Sequence, residues 1–310
     1  MSEITIEELE KLKTYTDSLM NHVHWVQQTF DVVPSNNHIA TCINFIDLNE
    51  RKTEFCRELI NTIPEWIYSK AKYKEVFEKL EIKRGKANAS NELSTICFDK
   101  FRGKFKKGDT NKLFAQGQFG ELLLFNFLQK FYSAVPLLRK MPITTGTGLE
   151  RNGADAIHYA ISDTNKNLFF LGESKAYTTG TFRSAMEKAI ESVLKTNNEF
   201  SSELGLYIYD DFLEEKLQGI AEKFKDGTLT NVEVHLVLLI AYNEDTIFEK
   251  NNEAQIKSDI IKTIESKCSK LDKKIFLSID KGLYPRFNYI FFPVWELDKL
   301  IENFQTGIGK

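Results

Sequence analysis

Two acidic residues and a lysine are spaced so that a pair of strands can bring them together. Asp155 lies at the start of the run ADAIHYAI, and Glu173 and Lys175 end a second apolar run, LFFLGESK. The polar segment 163–167 between the two runs indicates a turn, so the runs are predicted to pair as strands. Side chains alternate between faces along a strand, so Glu173 and Lys175 point the same way. The sequence therefore predicts two carboxylates and an ammonium group at one end of a sheet.

These residue types suit the cleavage of a phosphodiester bond. Two carboxylates and a backbone carbonyl are typical ligands of an oxygen-coordinated divalent ion such as Mg²⁺ (or Mn²⁺). Such an ion polarises a phosphoryl oxygen and lowers the pKa of a bound water. Lys175 can orient or deprotonate that water, or stabilise the negative charge that develops. The predicted metal ligands are Asp155, Glu173 and Ser174, together with Glu121, which lies on a preceding helix.

The tripeptide Glu-x-Lys carries little information alone, because the chain has four further copies. They begin at Glu50, Glu81, Glu214 and Glu265, all within charged segments with helical character. Solvated helix faces explain those copies. Only the copy at Glu173 follows an apolar run that is preceded by a strand with an aspartate, so only that copy is predicted to be catalytic.

Glu121 stands out because it interrupts an apolar helix face. The segment Leu113–Tyr132 is predicted to be helical, and Glu121 shares a face with Leu124, Phe125 and Leu128. A carboxylate on such a face is costly unless it is paired or bound to a metal. We therefore predict that Glu121 is a further ligand or positions a water; the alternative is a buried structural hydrogen bond.

A basic tract precedes this helix. Residues 99–108 interleave cations with two phenylalanines, a composition suited to phosphate contacts. The predicted nucleic-acid contacts are Lys100, Arg102, Lys104, Lys106 and Lys107, with Arg183 on the helix after the catalytic strand. A solvated loop is the alternative for the tract. The net charge of −3 gives no general attraction to nucleic acid, so such a local patch would be needed.

The arrangement resembles a known nuclease signature. Asp155 followed by Glu173-Ser174-Lys175 is similar to the PD-(D/E)xK motif, with Ala154 where that superfamily often has proline. Many members also carry a glutamate on the helix before the first core strand, as in the segment 117–121 here. The wider chain resembles the nuclease subunit of Hachiman antiphage defence systems.

This resemblance implies that DNA is the substrate and that a helicase (ATPase) subunit of the same system holds or directs the nuclease. The chain itself has no phosphate-binding motif of the G-x-x-x-x-G-K-[ST] type, so any ATP-driven step belongs to another chain. The alternatives are a stand-alone restriction or repair nuclease, and a nucleic-acid-binding module on a degenerate nuclease fold.

The predicted elements between 113 and 242 follow the order helix, strand, strand, strand, helix, strand, which matches the nuclease core. We therefore predict an α/β protein: a restriction-endonuclease-like α/β/α sandwich with a mixed central sheet. An N-terminal, mainly helical region is assigned to 1–112, and the nuclease domain with a C-terminal extension to 113–310. The first core strand is placed at Leu137–Ile143, followed by a glycine-containing loop at Thr144–Gly153.

Outside this core the patterns are weaker. The predicted helices are 3–30, 51–69, 70–82, 181–197 (after a turn at 178–180), 206–226, 253–270 and 295–304. The predicted strands are 38–47, 232–242, 274–279 and 288–294, and Lys83–Asn91 is predicted to be an exposed loop. His158 and His235 fall within apolar strands and are assigned to the core rather than to catalysis.

Composition restricts the class of protein. The chain has 310 residues, 42% of them hydrophobic and 27% charged, which is ordinary for a globular protein. The four cysteines are scattered, which argues against a zinc site or a disulfide framework. The N-terminal segment is acidic and amphipathic, unlike a signal peptide, so a cytoplasmic location is expected.

Overall fold

The computed structural model describes residues 4–102, 112–139, 154–207, 213–247 and 252–309. The helices of the described part are α1 Ile6–Leu12, α2 Asp17–Met20, α3 Lys52–Asn61, α4 Ile63–Ile67, α5 Lys70–Arg84, α6 Lys86–Arg102, α7 Lys112–Phe131, α8 Phe182–Tyr207, α9 Gln218–Lys225, α10 Glu253–Ser269 and α11 Leu297–Gly307. The strands are β1 Val23–Thr29, β2 Asn37–Ile43, β3 Phe45–Ile46, β4 Asn49–Glu50, β5 Val135–Leu138, β6 Ala156–Ile161, β7 Asn167–Tyr177, β8 Val232–Asn243 and β9 Phe287–Val294.

A seven-stranded mixed sheet forms the centre of the described fold. Its strand order is β1-β2-β9-β8-β7-β6-β5. The four middle strands β2, β9, β8 and β7 run parallel, while β1 pairs antiparallel at one edge and β6 and β5 at the other. The carboxyl ends of the parallel strands therefore lie along one edge of the sheet, where ligands bind in open α/β sheets.

Strand β8 shows why the middle of the sheet is parallel and covered on both faces. Its sequence VEVHLVLLIAY is apolar over most of its length, and Leu236–Tyr242 are buried. Continuous apolar runs of this kind are typical of parallel strands with helices on both sides. β8 pairs with β7 over eleven residues, with Lys175 opposite Ile240. The strand predicted at 232–242 is confirmed.

Helices cover both faces of the sheet, which confirms the predicted α/β/α sandwich. The buried residues of α8 and α10 form one core with side chains such as Leu171 and Leu238. The buried residues of α3, α7 and α11 form the other core with side chains such as Phe170 and Leu239. Alternate residues of each central strand thus enter opposite cores, as the period of a strand requires.

The N-terminal region is mainly helical, but it also supplies two strands of the central sheet. The helix predicted over 3–30 is wrong beyond Met20, because Val23–Thr29 forms edge strand β1, paired with β2. β1 alternates in exposure along its length. β2, at Asn37–Ile43, pairs in turn with β9. The first two strands of the sheet in sequence therefore lie next to the last one. The boundary at 112 stays a prediction.

Three other predicted elements are corrected. Lys83–Asn91 is not a loop: α5 and α6 form a helical hairpin around Gly85, whose φ of 75° is easily adopted by glycine. The strand predicted at 274–279 is wrong, because Lys273–Phe276 forms a 3-10 turn. Of the single helix predicted over 206–226, the described residues form the end of α8 and, separately, α9, which begins at Gln218. The first core strand, β5, begins at Val135 and ends at Leu138, so Arg139 lies beyond it; residues 140–143 of the predicted strand and the loop 144–153 lie outside the described residues.

Candidate active site

Strands β6 and β7 place Asp155 beside Glu173. Ala156 pairs with Gly172 in the antiparallel register, so the preceding residue, Asp155, lies next to Glu173. The Asp155 backbone N–H donates to the Gly172 carbonyl at 2.9 Å, which continues the pairing past the end of β6. Ile157 and Leu171 enter the same core, and the alternation of side chains puts Asp155 and Glu173 on that face as well.

Glu173 is a buried carboxylate with two donors on one oxygen. Its residue is 3% exposed, and its Oε1 accepts from Lys175 Nζ at 2.6 Å and from Ser192 Oγ at 2.7 Å. Ser192 lies on α8, so a helix as well as the strand holds this side chain. Burial, and next the charge of Asp155, raise the pKa of Glu173 above its ordinary value, although Lys175 and Ser192 act in the opposite direction.

Lys175 follows Glu173 by two residues and points the same way. Burial alone would lower the pKa of Lys175, but the charges of Glu173 and Asp155 outweigh it, and the pKa is raised. The ammonium group is therefore protonated at neutral pH. Its side chain is 27% exposed, which leaves it accessible from solvent, whereas the side chain of its partner Glu173 is 5% exposed. The pair presents a cation outward over a buried carboxylate.

Ser174, which follows Glu173 on β7, holds the Asp155 side chain. Its backbone N–H and its hydroxyl both donate to Asp155 Oδ2, at 2.8 and 3.0 Å. The Ser174 side chain faces α7, where a Cβ added to Gly120 would lie 3.0 Å from Ser174 Oγ. Glycine in a helix interior costs about 1 kcal/mol relative to alanine. Here it lets α7 approach the residue that orients Asp155.

Glu121 lies on α7, directly after Gly120. It is half-buried, whereas every other residue from Gln118 to Gln129 is buried. α7 packs against the sheet face opposite to the one that carries Glu173. Among the described residues, no group of three His, Cys, Asp or Glu side chains is arranged to hold a metal ion. The role of Glu121 as a further ligand stays a prediction.

The basic tract begins near this edge of the sheet. The side chain of Gln118 donates to the Phe101 carbonyl at 2.9 Å, which ties the end of α6 to the part of α7 beside Ser174. Lys100 lies over the Tyr68 ring, 4.5 Å from its centroid. Lys104, Lys106 and Lys107 lie outside the described residues, as does the Arg102 side chain.

Arg183 is engaged on the surface of α8. Its Nε donates to Glu187 at 2.8 Å, and its NH2 group lies 3.5 Å from an oxygen of Asp272. The side chain is 51% exposed. Its contact with nucleic acid stays a prediction, and such a contact would compete with these two carboxylates.

Of the two strand histidines, His158 is buried in the core, as predicted, whereas His235 is half-buried. His158 is fully buried and packs edge-on against Phe125, with ring centroids 5.4 Å apart. Burial lowers the pKa of His158 to about 3. His235 stacks on Phe170, and burial lowers its pKa as well. Neither ring lies on the face that carries Glu173.

Two contributors to the site, Ser192 and Gly120, were not identified from the sequence. Ser192 is 19 residues beyond Glu173, and nothing in a serine on an amphipathic helix marks it as a partner of a carboxylate. Gly120 offered a usable signal, because a buried glycine within a long apolar helix indicates a close approach of another segment.

Comparisons with known proteins agree with the resemblance of the wider chain to the Hachiman subunit. The family model HamA matches residues 20–308, nearly the whole chain. No curated protein and no solved structure matches it. None of the helices in the described part is long and apolar enough to cross a membrane. The chain belongs to the HamA family and is thereby an antiphage defence protein of the multi-subunit Hachiman type.

Proposed function

We propose that this chain is a metal-dependent DNA nuclease and the effector of its defence system. The observation that carries this proposal is the convergence of Asp155, Glu173 and Lys175 at one end of β6 and β7, with Glu173 buried beside a second carboxylate. Buried like charges are costly, and nothing in the packing of a sheet requires them. Such costly clusters of charged groups are found mainly at functional sites.

The two carboxylates fit a divalent cation. Their mutual repulsion contributes to the raised pKa of Glu173, and a cation between them would remove that repulsion. Carboxylate oxygens are the preferred ligands of Mg²⁺, and the same donor set accepts Mn²⁺. Asp155 and Glu173 would hold the ion, with the Ser174 backbone and Glu121 as further candidates. When bound, the ion supplies Lewis acidity toward the phosphoryl group and a water of lowered pKa.

The protein residues supply position and charge around the reacting phosphate. Ser174 holds one Asp155 oxygen with two donors, so the other oxygen keeps a defined direction. Lys175 carries its proton at neutral pH, which suits it to stabilise the additional negative charge on a phosphorane-like transition state. Because Glu173 anchors the Lys175 ammonium group at 2.6 Å, the cation is oriented before substrate arrives.

A cleavage assay with matched variants tests this proposal. Purified chain, with and without its partner, is incubated with labelled DNA in Mg²⁺, in Mn²⁺ and in EDTA. Asp155→Asn, Glu173→Gln and Lys175→Met should each reduce cleavage by at least a hundredfold. Glu10→Gln, on the surface of α1 and paired only locally with Lys13, is the control and should cleave like the parent chain.

The assay also separates the alternatives. Metal-independent cleavage, or full activity in Glu173→Gln, would refute this site. DNA binding without cleavage under every condition would favour a binding module on a degenerate nuclease fold.

The partner is proposed to be a helicase or other ATPase subunit that restrains the nuclease until DNA is engaged. The support is that the family belongs to a multi-subunit system and that the chain has no phosphate-binding motif of the G-x-x-x-x-G-K-[ST] type. Copurification with an ATPase chain, and cleavage that requires ATP turnover, are the expected results. Rapid cleavage by the isolated chain would instead favour a stand-alone nuclease.

A further inference from the structure

Ser192 is the residue of α8 that contacts the candidate site most directly. Its hydroxyl donates to Glu173 Oε1 at 2.7 Å, across the interface between α8 and β7. Lys175 donates to the same oxygen from the strand. Two donors from two different elements therefore define the plane of the Glu173 carboxylate.

The Ser192 hydroxyl makes this bond in place of a local one. Serine and threonine in helix interiors commonly donate to the carbonyl four residues earlier. Ser94, Thr95, Thr263 and Thr306 all do so in the described helices, at 2.8–3.1 Å. Ser192 instead reaches across to the neighbouring strand. Its orientation is set by the site rather than by its own helix.

The position of the two donors determines which oxygen of Glu173 remains for a cation. Both bonds fall on Oε1, so Oε2 is the oxygen that they leave available. Asp155 lies beside Glu173 on the same face, with its Oδ2 held by Ser174. Each carboxylate thus accepts a hydrogen bond from a serine hydroxyl on one of its oxygens. This is the arrangement expected of ligands whose outer-shell partners orient them toward a metal.

We propose that Ser192 is a positioning residue that aims Glu173 Oε2 toward the divalent cation. This inference rests on the proposed function, because it assigns a role within the same site. Ser192 contacts neither substrate nor metal in this assignment. Its effect is transmitted through the rotamer of Glu173, so its loss should weaken metal binding while leaving both carboxylates in place.

Ser184 provides a matched control on the same helix. It lies eight residues before Ser192, on the same side of α8, and is likewise half-buried. Its hydroxyl donates to the Thr181 carbonyl at 2.9 Å, within its own turn. Ser184→Ala removes the same atom from the same helix without touching Glu173. Ser192→Thr is the conservative variant, because threonine keeps the hydroxyl.

The experiment measures metal affinity without DNA or turnover. MnCl₂ and MgCl₂ are titrated into the full chain by calorimetry, and the free energy of unfolding of each variant is measured in EDTA. Ser192→Ala should weaken the metal Kd by about 10- to 100-fold, the usual effect of removing an outer-shell partner. Ser192→Thr should restore the Kd to within about threefold, and Ser184→Ala should leave it unchanged.

Each contrary result has a distinct meaning. If the parent chain binds metal and Ser192→Ala binds it equally well, the positioning role is wrong, even if that variant is less stable. Equal weakening by Ser192→Ala and Ser184→Ala would assign the effect to the helix as a whole. If the parent chain binds no metal, or Glu173→Gln binds it normally, the proposed function itself fails.

Discussion

Glu173 should make the stability of the metal-free protein depend on pH in a way that its replacement by glutamine removes. In the unfolded chain its carboxyl group ionises near the ordinary value of 4.5, whereas in the folded protein burial and then Asp155 raise the pKa to about 7. Between these values the folded state binds more protons than the unfolded state. The free energy of unfolding therefore falls as pH rises through this window.

The size of the effect follows from the two pKa values. Each pH unit between them is worth about 1.36 kcal/mol, so ionising Glu173 costs the folded protein on the order of 3 kcal/mol above pH 7. This cost already includes the favourable contacts with Lys175 and Ser192. Glutamine resembles the protonated acid in shape and never ionises. Glu173→Gln should therefore match the parent chain near pH 5 and exceed its stability by about 1–3 kcal/mol at pH 8.

Urea denaturation in EDTA at pH 5, 6, 7 and 8 measures this difference directly. The two proteins differ only at residue 173, so subtracting the curves reports the ionisation of Glu173 together with its effect on Asp155 and Lys175, whose charges interact with it. Glu187→Gln, which removes a surface ion pair with Arg183, should differ from the parent by less than about 1 kcal/mol at every pH. Parallel curves for the parent and Glu173→Gln, or a parent that is the more stable at pH 8, would refute the reasoning.

Two further predictions concern the surroundings of the site. Gly120→Ala should reduce cleavage about tenfold, because its Cβ would press on Ser174 Oγ at 3.0 Å, whereas Gly117→Ala, with nothing within 4 Å, should retain activity; an active Gly120→Ala would contradict the close approach. Arg139→Met should destabilise the protein by about 3–5 kcal/mol in urea denaturation, because it leaves the buried Glu214 carboxylate, 2.9 Å from Arg139, without its cation. A loss below about 1 kcal/mol would contradict the reasoning that this buried ion pair is costly to break.

The hairpin that carries Asp155 and Glu173 could be predicted because its signal is local. Asp155 and Glu173 flank a single turn, and antiparallel pairing across a turn permits few registers. The apolar run in β8 was equally clear, since a strand covered on both faces has no polar alternation. The bounds predicted for the long helix α7 agree with the structure to within a residue or two at each end, because its apolar residues extend over its whole length.

The edge of the sheet could not be predicted in the same way. In β1, Val23 and Trp25 alternate with His24, but the following glutamines suit a helix equally well, and pairing with β2 decides between them. The same limit applies to Ser192. Its contact with Glu173 depends on how α8 crosses β7, which is set by tertiary packing and leaves no periodic trace in the sequence.

The strand order of the sheet has a consequence for synthesis on the ribosome. β9 lies between β8 and β2, so it joins a strand from the C-terminal half to one from the first 43 residues. Until Val294 has left the exit tunnel, both of those strands keep an open edge, and open edges attract other strands. The nascent chain thus carries its complete carboxylate hairpin while its sheet is still in two parts. Completion of the sheet therefore waits until β9 has been translated.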